Sequence, residues 1–335
     1  MENLISRNCP VCKSSLLSHV YKLEYGDVML CQKCFVAFTQ FANINTFYKA
    51  NKVWNSQERI KSQIYMLPES RNEAKKRLKL LLKFNPGKKL IEFGPNTGEF
   101  LYVAGKAGFD ITCVDHCSAV LSLNKSGNLK FIDSEATKAT LNEKYDVVAA
   151  FHLLEHLEKP ALFIKQIKDL LNPRGILFLE VPNYSSRNRK KQKEKWNLFF
   201  EYHYMHFDAI SIKNLLESCG FKIIYSRTLQ PVNYLFAPIY LPIRHCLWSN
   251  LKKMLGNNNQ NKINNGVSDY QNKSEQLSPK DELKIDKSIK SKLFRLEIKA
   301  NKFFSLPLYP FAWWVSNKKQ GDILQIIATC GDLDE

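Results

Sequence analysis

The order of hydrophobic and polar positions predicts an alternating α/β domain in the middle of the chain. Between residues 89 and 227, short apolar runs of strand length alternate with segments whose apolar positions recur at helical spacing. The predicted strands cover residues 89–93, 110–114, 129–132, 145–150, 176–181, 221–225 and 322–328, and the predicted helices cover residues 98–107, 118–124, 161–171 and 208–218. This alternation predicts a doubly wound parallel sheet that binds its ligand at the carboxyl ends of the strands.

The segments on either side of this domain have different patterns. Residues 41–85 predict a helical connector, which includes an amphipathic helix over residues 71–84. A basic, aromatic insertion covers residues 231–320 and contains an Asn-, Lys- and Ser-rich stretch, 257–290, whose composition is typical of disorder. The predicted domains are therefore residues 1–40, 41–85, 86–230, 231–320 and 321–335.

The composition is that of a folded protein with a strong positive charge. Hydrophobic residues make up 44% of the chain and charged residues 24%, which excludes a wholly disordered protein. The 49 Lys and Arg residues outnumber the 32 Asp and Glu residues, and the formal net charge of +17 favours an anionic partner. No signal-peptide pattern opens the chain, and the uncharged runs at 228–243 and 303–317 are too short and too rich in proline to span a membrane. We therefore expect a cytoplasmic protein, which could be peripheral on the inner face of the membrane.

Four of the nine cysteines stand in two C-x2-C pairs near the N-terminus. Cys9 and Cys12 form one pair and Cys31 and Cys34 the other, with a longer spacer between the pairs. This spacing is typical of a Zn²⁺ site with four thiolate ligands, and such a closed site is structural. A short segment buries too little apolar surface to fold alone, so the ion would stabilise a zinc ribbon over residues 1–40. The other cysteines are predicted to be reduced thiols, namely Cys113, Cys117, Cys219, Cys246 and Cys330.

The most informative segment for chemistry is the glycine-rich turn after the first strand of the central domain. Glu92 lies at the end of this strand, and Gly94, Asn96 and Gly98 follow at every second position. Glycine lets the backbone approach a ligand closely, and asparagine is among the residues that best tolerate a positive φ. An acid before the turn suits a cationic amino group. Asp115, at the end of the next strand, is placed to accept hydrogen bonds from ribose hydroxyls.

Four ordered motifs give this chain a resemblance to a known enzyme family. They are IEFGPNTG at residues 91–98, CVD at 113–115, YDVVAAFHLLEHL at 145–157 and LLNPRGILFLEVPN at 170–183. In this order they resemble class I S-adenosylmethionine-dependent methyltransferases, and in particular the branch of the ubiquinone-biosynthesis O-methyltransferases and the methyltransferases of sugar and surface-glycan pathways. The resemblance covers residues 78–225 and 321–328. It implies a seven-stranded, Rossmann-like α/β sheet whose last strand is antiparallel, and an N-terminal zinc module also occurs in sugar methyltransferases of this branch.

The resemblance also implies where S-adenosylmethionine would bind. Glu92 would hold the amino group of its methionine part, and Asp115 would bind the ribose hydroxyls. Gly94 and Gly98 would pass beneath the methionine tail, with Asn96 in place of the family's middle glycine. The further candidates are Phe151 and His152 at the reactive end of the cofactor and Asp133 for the adenine amino group, although a solvated turn explains Asp133 equally well.

Methyl transfer to a hydroxyl group requires a proton acceptor, for which histidine is well suited. His152, Glu155 and His156 are spaced i, i+3 and i+4, so they share one face if the segment is helical. His203 and His206 follow the fifth strand and are expected at the same rim. We favour a metal-free base, His156 first and His206 second.

Two alternatives stay open for these residues. Glu155 and His156 could simply brace the loop, or the whole set could bind a divalent ion, as in related metal-using methyltransferases whose loop reads Glu-x-x-Glu-His. His152 replaces the first of these glutamates, which makes Mg²⁺ a poorer fit.

Two basic segments could contact an anionic partner. Residues 187–195 hold six basic residues and one acid, and fit either a solvated loop or a clamp for phosphate or pyrophosphate. In the insertion at 231–320, Trp248, Trp313 and Trp314 lie close to lysines, as in segments that rest at the headgroup layer of an anionic membrane. A helical cap over the active site explains the apolar residues of the insertion equally well.

The function that we predict is O-methylation of a sugar or glycan intermediate, which could be nucleotide- or lipid-linked, with S-adenosylmethionine as cofactor and Zn²⁺ as a structural ion. RNA methylation is the alternative among enzymes. The charge and the zinc module favour it, but no basic and aromatic RNA platform stands out. A non-catalytic zinc-ribbon binding protein on a methyltransferase-like scaffold is the alternative from another class, and the intact cofactor-binding set argues against it. Nothing in the sequence indicates the oligomeric state.

Overall fold

The structure, a computed structural model, describes residues 8–54, 56, 67–117, 129–232 and 308–331. The chain divides into two compact units, the first formed by Met1–Pro231 with Phe311–Glu335 and the second by Val232–Pro310. Most of the second unit lies outside the described residues, as do the predicted helix at 118–124, the predicted disorder at 257–290, Cys246 and Trp248. Among the residues that are described, no helix combines the length and the apolar character that a bilayer crossing requires.

The described ranges contain eleven strands and seven α-helices. The strands are β1 (Leu17–Leu23), β2 (Gly26–Cys31), β3 (Ala37–Phe41), β4 (Lys89–Phe93), β5 (Asp110–Asp115), β6 (Leu129–Asp133), β7 (Tyr145–Phe151), β8 (Leu171–Pro182), β9 (Met205–His206), β10 (Lys222–Leu229) and β11 (Ile323–Thr329). The helices are α1 (Ile44–Trp54), α2 (Leu67–Leu81), α3 (Glu99–Lys106), α4 (Pro160–Leu170), α5 (Arg187–Gln192), α6 (Ala209–Ser218) and α7 (Tyr309–Asn317).

A seven-stranded sheet forms the centre of the first unit. Its strands lie in the order β10-β11-β8-β7-β4-β5-β6. Neighbouring strands from β8 to β6 are parallel, whereas β11 is antiparallel to both β8 and β10. The predicted Rossmann-like α/β sheet with an antiparallel last strand is therefore confirmed.

Two apolar layers sandwich this sheet, as expected for strands that are buried on both faces. In one layer, Phe163 of α4 packs edge-on against Phe93 of β4, with ring centroids 5.2 Å apart. In the other layer, Phe100 of α3 contacts Phe178 of β8 in the same manner. Each buried aromatic side chain contributes about 1.5–3 kcal/mol to stability, so this packing fixes the strand ends that carry the candidate residues.

A smaller antiparallel sheet holds the N-terminal residues. Its strands lie in the order β1-β2-β3-β9. The first three belong to the N-terminal segment, but β9 follows β8 of the central domain along the chain. It pairs Met205 with Phe38 and His206 with Ala37. The sheet of the predicted zinc ribbon is thus completed by a strand outside residues 1–40.

Two element boundaries differ from the sequence-based expectation. The helix predicted at 71–84 begins at Leu67 and ends in a 3-10 turn, which Asn85 closes with a φ of 45°. Strand β8 begins at Leu171 rather than at residue 176, because Leu171 already pairs with Tyr145 of β7. A register shift in this ladder absorbs the turn that the sequence predicts there.

Candidate active site

The turn after β4 has the backbone conformation that its sequence predicts. Gly94, Asn96 and Gly98 all have positive φ, at 65°, 53° and 74°. A Cβ atom on Gly94 would lie 3.2 Å from Leu153 Cδ1, so a side chain there would be crowded as well as strained. Gly98 is also the N-cap of α3, which places the N–H groups of the first helical turn beside the glycine turn. A ligand can therefore approach the backbone closely at this point.

Glu92, in β4 just before this turn, is a buried carboxylate. It is 3% exposed, and its Oε2 has no hydrogen-bond partner among the described residues. The pKa of Glu92 is raised to about 8, mainly by burial. The positive charge of Arg77 opposes this rise, and the negative charges of Asp115 and Glu180 contribute to it. A cationic group would supply the missing partner. The site therefore fits the ammonium group of an amino-acid ligand.

Asp115 and Asp133 are the last residues of two neighbouring strands, and they are register partners in the pairing of β5 with β6. Asp115 is buried, and its Oδ1 accepts a hydrogen bond from the backbone N–H of Cys117 at 2.8 Å. Burial raises the pKa of Asp115, and this hydrogen bond lowers it. Asp133 is exposed. The carboxylate of Asp115 is thus held in a fixed orientation at the sheet edge, which suits a role in binding hydroxyl groups.

An ion pair that the sequence did not predict lies beneath the end of β7. Arg77 of α2 binds Glu180 of β8 through Nε, which donates to Oε2 at 2.8 Å, and through Nη2, which donates to the same oxygen. The guanidinium group also lies over the ring of Phe151, 4.2 Å from its centroid. Phe151 packs edge-on against two other phenylalanine rings, each with a centroid 5.0 Å away. The local signal for this pair is the single acid inside the apolar run of β8.

His152 follows β7 directly and has a φ of 54°. Its ring lies between two buried carboxylates, with Nδ1 3.4 Å from Glu155 Oε1 and Nε2 3.9 Å from Glu180 Oε2. The side chain of His152 is 35% exposed, which leaves it open to a ligand. The sequence would place His152, Glu155 and His156 on one face of a helix. The structure corrects this expectation, because within residues 152–156 only the 3-10 turn Leu154–His156 is helical.

Glu155, His156 and His203 form a compact buried cluster. One ligand atom from each of the three residues lies within 4.8 Å of the other two. Nδ1 of His156 donates to the carbonyl oxygen of Tyr202 at 2.8 Å, and Nδ1 of His203 donates to the carbonyl oxygen of Leu198 at 2.9 Å. In both neutral rings, Nε2 is therefore the nitrogen that carries the lone pair.

Glu155 supplies the carboxylate of this cluster. Glu155 is 1% exposed, and neither of its side-chain oxygens has a hydrogen-bond partner in the described ranges. The rings of His156 and His203 meet edge-on, with centroids 4.9 Å apart. A buried carboxylate beside two imidazoles can stabilise a proton on one of the rings or bind a cation.

His206 lies outside this cluster. Its Nε2 is hydrogen-bonded to Thr39 Oγ1 at 2.9 Å, and its ring stacks on Tyr184 with centroids 6.0 Å apart. Burial and the positive charge of Arg189 lower the pKa of His206 to about 3. Of the two histidines after β8, it is therefore His203 that joins His156, because the pairing of β9 with β3 holds His206 at the N-terminal sheet.

The candidate residues Glu92, Asp115 and Glu155 all lie at or just beyond the carboxyl ends of parallel strands. The sequence model of a methyltransferase domain matches residues 68–226, which include these three residues and the glycine turn. The chain contains a class I S-adenosylmethionine-dependent methyltransferase domain.

Curated relatives of this methyltransferase domain are ubiquinone biosynthesis O-methyltransferases. The protein of Stutzerimonas stutzeri (strain A1501) is 32% identical over 105 residues, which are 29% of this chain and 45% of that protein. The mitochondrial protein of Schizosaccharomyces pombe (strain 972 / ATCC 24843) is 26% identical over 102 residues, which are 28% of this chain and 37% of that protein. The chain thus spans less than half the length of these relatives.

Two of the solved structures that superpose on this chain are described as methyltransferases. A protein of Thermotoga maritima, described as a possible histamine N-methyltransferase, superposes with a TM-score of 0.41 and 18% identity over 55% of this chain and 84% of that chain. A glycopeptide N-methyltransferase bound to sinefungin superposes with a TM-score of 0.38 and 12% identity over 47% of this chain and 79% of that chain.

The four cysteines of the predicted zinc ribbon lie together at the N-terminal side of the methyltransferase domain. Their Sγ atoms are all within 4.8 Å of one another, and the distances from Cys9 to Cys34 and from Cys12 to Cys31 are both 3.5 Å. Four sulfurs placed tetrahedrally about 2.3 Å from one Zn²⁺ ion would be about 3.8 Å apart. The donor set and its spacing therefore fit Zn²⁺.

The two cysteine knuckles have the same local backbone. In the first, the N–H of Lys13 donates to the carbonyl oxygen of Cys9 at 3.0 Å, and Lys13 has a φ of 61°. In the second, the N–H of Phe35 donates to the carbonyl oxygen of Cys31 at 3.0 Å, and Phe35 has a φ of 62°. The repeated turn presents each pair of thiols in the same manner, as expected for one shared ion.

Proposed function

We propose that the chain transfers the methyl group of S-adenosylmethionine to a hydroxyl group of a sugar or glycan intermediate, which could be nucleotide- or lipid-linked. The observation that carries this proposal is the buried cluster of Glu155, His156 and His203 just beyond the end of β7. A hydroxyl group must lose its proton during the reaction, whereas a neutral amine is already nucleophilic. A buried acid beside two imidazoles therefore suits a hydroxyl acceptor.

The residues after β4 and β5 would hold the cofactor. Glu92 would bind the ammonium group of its methionine part, because its buried Oε2 has no hydrogen-bond donor within the described part of the chain. The turn from Gly94 to Gly98 would run beneath the methionine tail, and Asp115 would accept hydrogen bonds from the ribose hydroxyls. When bound, S-adenosylmethionine supplies an electrophilic methyl group on a sulfonium ion. The main tasks of the protein are then to align the acceptor and to exclude water.

His156 is the base that we propose. Its Nδ1 donates to the carbonyl oxygen of Tyr202, so Nε2 is the atom that takes the proton from the hydroxyl group. Glu155 would stabilise the imidazolium ion that forms. Because Glu155 is buried, solvent screens this attraction only weakly.

A divalent cation bound by Glu155, His156 and His203 is the competing mechanism. It would satisfy the two oxygens of Glu155 that lack hydrogen-bond partners in the described part of the chain. Two imidazoles and one carboxylate suit zinc or a transition-metal ion better than Mg²⁺. Chelation separates the two mechanisms.

Two observations support different parts of the proposed acceptor. The curated relatives named above are ubiquinone biosynthesis O-methyltransferases, which supports a hydroxyl group as the acceptor but not a sugar. The four-cysteine cluster resembles the N-terminal zinc module of sugar methyltransferases in this branch, which supports a sugar or glycan. RNA methylation is the second candidate function, because the formal net charge of +17 would attract a polyanion.

The experiment that tests the proposal follows a radiolabelled methyl group from S-adenosylmethionine into a cell extract. We expect label in the glycan or lipid-linked saccharide fraction with the native protein, and none with the Glu92→Gln variant. Label confined to RNA would establish the second candidate function. The enzymatic proposal fails if no fraction is labelled and calorimetry detects no binding of millimolar S-adenosylmethionine.

A further inference from the structure

Helix α7 carries its large aromatic side chains on the outside of the molecule. Trp313 is 68% exposed and Trp314 is 45% exposed, whereas the buried residues of the helix are the small Ala312 and Val315. A helix that packs only against its own domain has its large apolar side chains inward. Exposed aromatic residues that lie side by side are typical of a contact surface.

This orientation of α7 is fixed by hydrogen bonds to β10 and the residue after it. Thr228 Oγ1 donates to the carbonyl oxygen of Ser316 at 3.0 Å, and the backbone N–H of Gln230 donates to Ser316 Oγ at 2.9 Å. The rings of Phe311 and Trp314 also stack on each other, with centroids 5.9 Å apart. The outward position of the tryptophans is thus part of the fold.

Helix α5 places cations beside this aromatic face. The guanidinium carbon of Arg187 lies 4.9 Å from the ring centroid of Phe311 and 6.0 Å from that of Trp314. The exposed cations that follow it are Lys190, Lys191, Lys193 and Lys195. Within the described ranges, none of these lysines forms an ion pair.

The same run of residues does not form a clamp around one phosphate group. Arg189 turns inward, where it donates hydrogen bonds to the carbonyl oxygen of Tyr184 and to Tyr21 Oη. The other cations are spread along an exposed helix and the turn after it. A broad negatively charged surface matches this distribution better than a single small anion does.

We propose that α5 and α7 form a docking surface for an anionic lipid headgroup layer. Tryptophans at the headgroup level with lysines beside them are typical of segments that lie in a membrane interface. Base stacking explains the aromatic residues less well, since Trp314 is already stacked on Phe311. Helix α5 follows the carboxyl end of β8, and Glu92 lies near the carboxyl end of β4, which runs in the same direction. The surface therefore lies on the side of the candidate active site. The docking surface does not depend on which acceptor is methylated.

Vesicle binding by the full-length protein tests this surface. We expect co-sedimentation with vesicles of phosphatidylcholine that contain phosphatidylglycerol, none with phosphatidylcholine alone, and weaker binding at higher salt. The substitutions Lys190→Gln and Lys191→Gln should each weaken binding about five-fold, because each removes one positive charge. The variant with Trp313→Ala and Trp314→Ala should bind at least about ten-fold more weakly, because it loses the aromatic contact.

A matched control removes the same charge elsewhere. The control carries Lys79→Gln and Lys83→Gln. Both lysines are exposed and distant in sequence from α5 and α7, so vesicle binding should be unchanged. Circular dichroism checks that each variant is folded. Because Trp313 is 68% exposed, its replacement leaves the buried contacts of α7 in place.

Two results would overturn the proposal. Binding that depends on the lysines but not on the tryptophans, and that homopolymeric RNA abolishes, would show a nucleic-acid surface. No binding to anionic vesicles, together with a lower melting temperature of the Trp313→Ala variant, would show that α7 packs against protein instead.

Discussion

Thr39 Oγ1 and His206 Nε2 share a hydrogen bond of 2.9 Å that joins the N-terminal sheet to the segment after β8. Both residues are buried, and the bond lies beside the pairing of β3 with β9. The same segment carries His203, a member of the candidate catalytic cluster. We therefore expect a change in the cysteine cluster to affect the candidate active site through β9.

The purified protein is expected to hold one tightly bound Zn²⁺ ion per chain. Cys31→Ser should release it and speed amide hydrogen exchange in the N-terminal sheet, because the ion supplies much of the stability of that segment. Exchange should also rise at Met205 and His206, while cofactor affinity stays nearly unchanged and turnover falls.

Cys330→Ser is the control for this variant, since Cys330 is a half-buried thiol outside the cluster and its loss should leave the zinc content unchanged. Metal analysis that finds no zinc in anaerobically prepared native protein would contradict the prediction. If Cys31→Ser speeds amide hydrogen exchange only at residues before 42, the coupling through β9 is contradicted.

Cofactor binding is expected to release a proton from Glu92. Burial raises the pKa of Glu92 from its usual value of 4.5 to about 8, so the unliganded protein is most stable with this group protonated, and that stability is lost as the pH rises from about 4.5 through 8. An ammonium group needs the ionised carboxylate. Affinity should therefore rise with pH up to about 8, by at most about ten-fold per pH unit.

Calorimetry in buffers of different ionisation enthalpy measures this proton directly. At neutral pH, up to one proton should leave for each cofactor bound, and Glu92→Gln should abolish the release. Asp110→Asn is the matched control, because Asp110 is an exposed acid at the opposite end of β5. Proton release that persists in Glu92→Gln would place the titrating group elsewhere.

Asp115→Ala is expected to weaken S-adenosylmethionine binding by about 1.5–3 kcal/mol, the usual contribution of hydrogen bonds to a charged acceptor. The zinc cluster should keep its metal, since it does not involve β5. Asp110→Ala, at the exposed opposite end of the same strand, should leave the Kd unchanged. If Asp115→Ala also has the native Kd, Asp115 does not contact the cofactor.

His156→Ala is expected to lower kcat by about 10²–10⁴, the range for loss of a general base, with cofactor affinity unchanged. His19→Ala is the control, because His19 is half exposed and pairs with Asp27 on the surface. A native kcat in the His156→Ala variant would exclude this residue as the base.

Chelation distinguishes the lone base from a metal-assisted reaction. With a lone base, a chelator that leaves the four-cysteine zinc in place should not change kcat. Loss of activity on chelation and recovery with manganese or zinc would instead establish a cation held by Glu155, His156 and His203. In that case His203→Ala should be as damaging as His156→Ala.

The features that the sequence predicted are those with a local cause. Buried parallel strands such as β7 are continuous apolar runs, and Asn96 is one of the few residue types that accept a positive φ. Strand β9 has only two residues, too few for any periodicity to show. The pairing of Arg77 with Glu180 joins residues that are far apart in the sequence. His156 is grouped with His203 rather than with His206 because the short strand β9 holds His206 at the N-terminal sheet.

Strand β11 lies between β10 and β8 in the sheet, although residues 230–322 separate it from β10 along the chain. During synthesis, β10 therefore has no partner in the sheet until β11 has left the ribosome, and the apolar edge of β8 stays uncovered for the same time. The entropic cost of bringing two strands together grows only with the logarithm of the number of residues between them, so the long separation of β10 and β11 in the sequence costs little stability. It delays the last pairing instead, and aggregation through the open edge of β8 is the hazard of that delay.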